Sequence, residues 1–192
     1  MARSTFSRRD LFRLVGRRVR DAVEPVARGR LSADRRTLNW LRPPGWTGRS
    51  TDACKDCHAC TDACPPGAIL ERPDGTPSID PERIACALCD DVPCAAACPA
   101  DVLEPLPSAE VRMALAVVDP VTCRHAKGEA CTACYTACPL PGTAMALVTG
   151  GPTGPRPAVL EEGCTGCGTC LYACPERPRA IRMVVAAAPT RR

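Results

Sequence analysis

The sequence predicts an α+β chain of two tandem cysteine-rich modules, built from short β-hairpins and short helices and preceded by a basic N-terminal helix and a linker. Three observations lead there. The 192 residues include 16 Cys but only two each of Trp, Tyr and Phe, too few large side chains for an ordinary hydrophobic core. The cysteines fall into four groups of four, each ending in Cys-Pro at Pro65, Pro99, Pro139 and Pro175. Hairpin-type turn signals join the first group to the second and the third to the fourth. The expected divisions are residues 1–50 for the head and linker, 51–108 for the first module and 109–192 for the second.

The head is strongly basic. Residues 1–50 hold 13 Arg against four acids, a balance of +9, whereas residues 51–192 carry −5, giving +4 for the chain. Ser7-Arg8-Arg9-Asp10-Leu11-Phe12-Arg13 looks like a twin-arginine export signature, but that signal requires an apolar stretch behind the arginines. The longest uncharged run between the twin arginines and Arg17 is Leu14-Val15-Gly16. The expectation is therefore cytoplasmic residence, with twin-arginine export to the periplasm as the alternative. Leu11, Leu14, Val15, Val19, Ala22, Val23 and Val26 recur at helical spacing among arginines, the pattern of a basic amphipathic helix, which Pro25 ends or bends. Such a helix suits a membrane surface, an acidic partner or the acidic remainder of the chain. Residues 27–53 read as a Pro/Gly connector with Trp40 and Trp46 as anchors. No apolar run approaches the roughly 18 residues of a membrane span.

The cysteine groups carry the chemistry. The first is Cys54-x2-Cys57-x2-Cys60-x3-Cys64 and the fourth is Cys164-x2-Cys167-x2-Cys170-x3-Cys174. The second widens one gap, as Cys86-x2-Cys89-x4-Cys94-x3-Cys98, and the third widens another, as Cys123-x7-Cys131-x2-Cys134-x3-Cys138. Three thiolates on a short loop can hold three irons of one cubane, while a fourth, a helical turn further on, points elsewhere; in two-cluster ferredoxins it ligates the other cluster. Each run is thus half of a two-cluster site. The expected cofactors are four [4Fe-4S] clusters held by all sixteen cysteines in two ferredoxin-like dicluster modules. Four-thiolate zinc sites also use C-x2-C pairs but need no third Cys three residues later and no fourth before Pro. Disulfide scaffolds scatter their cysteines among loops.

Between groups one and two, Ala68-Ile69-Leu70 and Ser78-Ile79-Asp80 flank Pro73-Asp74-Gly75. Between groups three and four, Ala144 to Val148 and Ala158-Val159-Leu160 flank a Gly-rich turn over 150–154. The middle connection, through Pro105, Pro107 and Ser108 to Val111–Val118, has no Gly turn. This favours pairing group one with two and three with four. Nested pairing, one with four and two with three, stays open.

The cysteine order, together with Leu41-Arg42-Pro43-Pro44-Gly45, Thr76-Pro77-Ser78-Ile79, Arg112-Met113-Ala114-Leu115-Ala116-Val117-Val118 and Cys134-Tyr135-Thr136-Ala137-Cys138, resembles the MauM/NapG ferredoxin-type family over residues 40 to 185. The resemblance implies electron transfer in nitrate reductase or methylamine-utilisation systems. It also implies redox protein partners, such as a molybdenum reductase catalytic subunit or a membrane quinol-oxidising subunit. The Ser-Arg-Arg start is more similar to the related NapF proteins, which implies an accessory or maturation role on a reductase catalytic subunit in the cytoplasm as the alternative.

His58 and His125 lie within groups whose four cysteines are all present, so outer hydrogen-bonding or solvent-facing roles are expected of them. Tyr135 and Tyr172 are expected to pack near a cluster. Gly163, Gly166 and Gly168 lack the strand and helix context of a dinucleotide fingerprint. No nucleophile-base pair or phosphate loop is present, which points to a carrier or accessory subunit and not to an enzyme with its own substrate site. Aromatics are not interleaved with the arginines, so no nucleic-acid partner is expected.

Overall fold

The computed structural model describes residues 40–151 and 153–185, all within one unit, Asp34–Arg192. The N-terminal helix expected over the arginine-rich head lies outside the described residues. Among the described residues, six strands pair into three two-stranded antiparallel ribbons: β1 (Ile69–Glu71) with β2 (Pro77–Ile79), β4 (Met145–Gly151) with β5 (Gly154–Val159), and β3 (Leu115–Val118) with β6 (Ile181–Val184). Four short helices, α1 (Ala59–Asp62), α2 (Pro93–Ala96), α3 (Ala133–Ala137) and α4 (Thr169–Ala173), each carry a cysteine. Helix α1 packs on α2, and α3 on α4.

The two expected hairpins form where their turn residues are. In the first, Ile69 faces Ile79, and the Asp74 carboxylate accepts the Thr76 backbone N–H at 3.0 Å. Gly75 takes φ +78°, a left-handed conformation that costs glycine no Cβ clash. In the second, Met145 faces Val159, with a register shift between Val148 and Gly151. The β3–β6 pair was not anticipated. It sets Ala116 opposite Met183, both buried, and joins the segment after the middle connection to the last described strand.

Within the stretch 27–53 read as a connector, Leu41, Pro43 and Pro44 are buried and Trp46 packs against the core. Leu41 exchanges two backbone hydrogen bonds of 2.8 Å with Ile79 and is fully buried. Glu104 N–H donates to the Gly45 carbonyl at 2.8 Å. A Cβ on Gly45 would run into the Glu104 backbone, so glycine permits this approach. Leu41, Ile69, Ile79, Leu103, Met145, Leu171 and Met183 belong to one continuous cluster with the buried cysteines. Described residues on both sides of position 108 therefore share a core.

Candidate metal centres

Four cavities, each lined by four cysteines, hold the sixteen thiols. Site A is lined by Cys54, Cys57, Cys60 and Cys98, and site B by Cys64, Cys86, Cys89 and Cys94. Site C is lined by Cys138, Cys164, Cys167 and Cys170, and site D by Cys123, Cys131, Cys134 and Cys174. Their volumes, including the part open to solvent, run from about 330 to 380 Å³. In every case the fourth cysteine of a sequence group lines the cavity of the partner group.

The crossover follows from the helix ends. Cys60 lies on α1, whose last residue is Asp62. Cys64 follows the end of the helix, and Pro65 then turns the chain, so Cys64 faces site B while Cys60 faces site A. Cys94 and Cys98 repeat this at α2, Cys134 and Cys138 at α3, and Cys170 and Cys174 at α4.

The loops between the first cysteines curl by a shared device. The second residue after the leading cysteine has a left-handed backbone in three groups: Asp56 at φ +60°, Leu88 at +52° and Gly166 at +73°. This conformation is uncommon for non-glycine residues and costs energy where it occurs. Only group four has a glycine there, because a Cβ on Gly166 would collide with the Ala114 backbone. In groups one and two the same curl is held by Asp and Leu, so no glycine pattern marks it in the sequence.

The donor set fits a polynuclear cluster. All sixteen cysteines are free of disulfides, and each foursome stands around a volume. Among the described residues no three His, Cys, Asp or Glu side chains converge as a ligand set for a single metal ion. Backbone N–H groups donate to ligand-position sulfurs, each at 3.4 Å: Leu88 to Cys86, Leu103 to Cys98, and Ala180 to Cys174. Such bonds favour the ionised sulfur.

Burial pushes the thiols the other way. The Cys86 thiol is raised to about 12 by burial, with Cys167, Cys94 and Cys64 adding charge repulsion and the Leu88 N–H opposing it. Cys94 and Cys134 are raised to about 11, mainly by burial, and Cys170 is raised further for the same reason. Without metal these cysteines are neutral thiols, so binding iron must displace their protons.

Around site D a charged clasp fixes the long gap of group three. Glu176, next to Pro175, accepts from Arg124 Nε at 2.7 Å and Lys127 Nζ at 2.6 Å. It thereby ties the 123–131 loop to the segment after Cys174. His125 is buried, with Nε2 3.2 Å from the Gly154 carbonyl. His58 is exposed, with Nδ1 3.5 Å from Glu71. Tyr135 packs against the core, while Tyr172 is half exposed. Neither the Glu176 clasp nor the three N–H donors to sulfur is marked in the sequence, apart from the place of Glu176 directly after a Cys-Pro.

Comparison with curated proteins supplies the relatives. The chain is 38% identical over 158 residues to the methylamine utilization ferredoxin-type protein MauM of Paracoccus denitrificans, covering 75% of this chain and 70% of that protein. It is 34% identical over 194 aligned positions to MauM of Methylophilus methylotrophus, covering 92% and 86%. It is 34% identical over 161 residues to the ferredoxin-type protein NapG of Escherichia coli K12, covering 75% and 70%. The chain belongs to the MauM/NapG ferredoxin-type family. As a MauM/NapG protein it is an iron–sulfur protein with an electron-transfer role. No protein-family profile matches it, and no solved structure does.

The segments that carry the MauM/NapG resemblance have structural roles here. Leu41–Gly45 edges the first hairpin, and Thr76–Ile79 forms its turn and second strand. Arg112 leads into β3 and its guanidinium donates to the carbonyls of Ala109, Val111 and Glu162. Among the described residues no helix is long and apolar enough to cross a membrane.

Proposed function

We propose that this chain holds four [4Fe-4S] clusters in sites A to D, as two tandem dicluster modules, and relays single electrons between protein partners. The observation that carries the reading is the division of sixteen cysteines into four cavities of four, with each fourth cysteine exchanged between partner groups. When bound, such clusters supply one-electron redox chemistry. The chain's own residues hold the irons, exclude water through the apolar lining, and set the potentials through burial, nearby charge and N–H donors to sulfur.

The chain acts in this reading as a carrier or accessory subunit, with no substrate site of its own, and resides in the cytoplasm. The names of its relatives point to methylamine-utilisation and Nap systems, so the proposed partners are redox proteins of those kinds. They include a molybdenum reductase catalytic subunit or a membrane quinol-oxidising subunit.

Iron and sulfide analysis of anaerobically purified protein tests the reading. About sixteen irons and sixteen acid-labile sulfides are expected, four of each per cubane. Cys60→Ser and Cys98→Ser are expected to disturb one and the same cluster signal, and Cys64→Ser and Cys89→Ser a different one. Saturation at half the iron, or loss of the same signal in Cys60→Ser and Cys64→Ser, would refute it.

A further inference from the structure

The four sites lie in an order. Cys60 within α1 and Cys64 just past its end, like Cys94 and Cys98 about α2, set site A beside site B. Cys134 and Cys138 at α3, like Cys170 and Cys174 at α4, set site C beside site D. Sites B and C meet directly. Cys86 lines B and Cys167 lines C, and the Cys86 backbone N–H donates to the Cys167 carbonyl at 3.0 Å.

Thr169 stands at this crossing. Its Oγ1 is 3.4 Å from Cys167 Sγ and also 3.4 Å from the Cys86 carbonyl. A hydroxyl has one proton to give. A ligating thiolate has none, so toward Cys167 the threonine is the donor. A separation of 3.4 Å is long for O–H···O, whose usual range ends near 3.0 Å, whereas the larger sulfur atom accepts at that distance. The Cys86 carbonyl and the Cys167 sulfur thus compete for the one hydroxyl proton, and a ligating thiolate, being charged, is the stronger acceptor and takes it. Gly168, immediately before it, is pressed against Pro81 so closely that a Cβ would clash, which fixes where the hydroxyl sits.

We propose that sites A, B, C and D form one electron-transfer series whose crossing between modules is the Cys86–Cys167 contact, with Thr169 as the positioning residue that tunes site C at that crossing. The inference rests on the four-cluster reading above. One electron leaves site B as one enters site C; no bond breaks and no proton moves. A hydroxyl donating to a ligand sulfur stabilises the more negative, reduced form, so it raises the potential of site C and draws the electron across.

The test uses full-length holoprotein carrying Thr169→Val, which keeps the shape and removes the hydroxyl, and Thr169→Ser, which keeps the hydroxyl. Potentials are read by redox titration followed by electron paramagnetic resonance, alongside iron content. Expected are wild-type iron in both, one potential shifted downward in Thr169→Val, and its return toward wild type in Thr169→Ser. Should Thr169→Val fail to load, Thr169→Ala is read in its place. The signal that shifts should also change line shape when site B is lost in Cys64→Ser but not when site A is lost in Cys57→Ser. Unchanged potentials in the iron-replete valine variant, or an equal shift in the serine variant, would overturn the role of Thr169. A line shape indifferent to both cysteine variants would overturn the series. Wild-type protein saturating at half the iron overturns instead the four-cluster reading on which both rest.

Discussion

Gly168→Ala isolates the fit between the two halves of the molecule. Gly168 has φ +83°, and a Cβ there would meet the buried Pro81 ring and the side chain of Leu41. Gly67 has φ +64° with open space where a Cβ would go, so Gly67→Ala carries the conformational cost without the collision. A left-handed conformation costs an L residue about 1–2 kcal/mol, and forcing an extra methyl into a packed core costs about 1–3 kcal/mol more. Gly168→Ala should therefore destabilise by about 2–5 kcal/mol and Gly67→Ala by about 1–2 kcal/mol. Multi-cofactor proteins seldom unfold reversibly, so the comparison is best made on the guanidinium midpoint for bleaching of cluster absorbance under anaerobic conditions. Read at matched incubation times, the apparent midpoint should lie below that of Gly67→Ala, by about 0.5 M on the scale set by an equilibrium slope of about 4 kcal/mol/M. Equal midpoints for the two variants would refute the close approach of the fourth cysteine loop to Pro81.

Leu41→Ala should cost about 2–5 kcal/mol, as for buried leucines in general, and bleach at clearly lower denaturant than Val121→Ala at a 77% exposed position; equal midpoints would place Leu41 outside the core. Glu176→Gln should leave iron content intact but speed release of iron from site D to a chelator at low salt, an effect that fades as salt screens the clasp. Hydrogen bonds from Lys127 and Arg124 hold the Glu176 carboxyl below the ordinary carboxylate range. The clasp is therefore complete above that range and is lost as pH falls through the lowered value; iron release indifferent to this substitution and to salt would remove the clasp from the account. Deleting residues 1–30 should leave cluster content unchanged and weaken partner binding at low ionic strength, measured by titration against the partner; unchanged affinity would show that the arginines do not dock.

The sequence by itself made the iron–sulfur character legible, because cysteine spacing and the terminal Cys-Pro are local: a short loop and one helical turn decide which thiols can line one cavity. Both hairpins were legible for the same reason, their turns being written in Pro73-Asp74-Gly75 and in the glycines of residues 150–154. Tertiary structure decided what depends on distant chain segments meeting. The pairing of β3 with β6 joins runs more than sixty residues apart, and nothing local marks either strand as the other's partner. Leu41 sits in a Pro/Gly-rich stretch whose composition says linker, yet two hydrogen bonds to Ile79 and burial against the core make it structural. The left-handed curls at Asp56 and Leu88 were hidden because these residues bear the strain that glycine avoids at position 166. The Cys86–Cys167 crossing could be seen only once both halves were folded, because a hydrogen bond between backbones carries no side-chain signature.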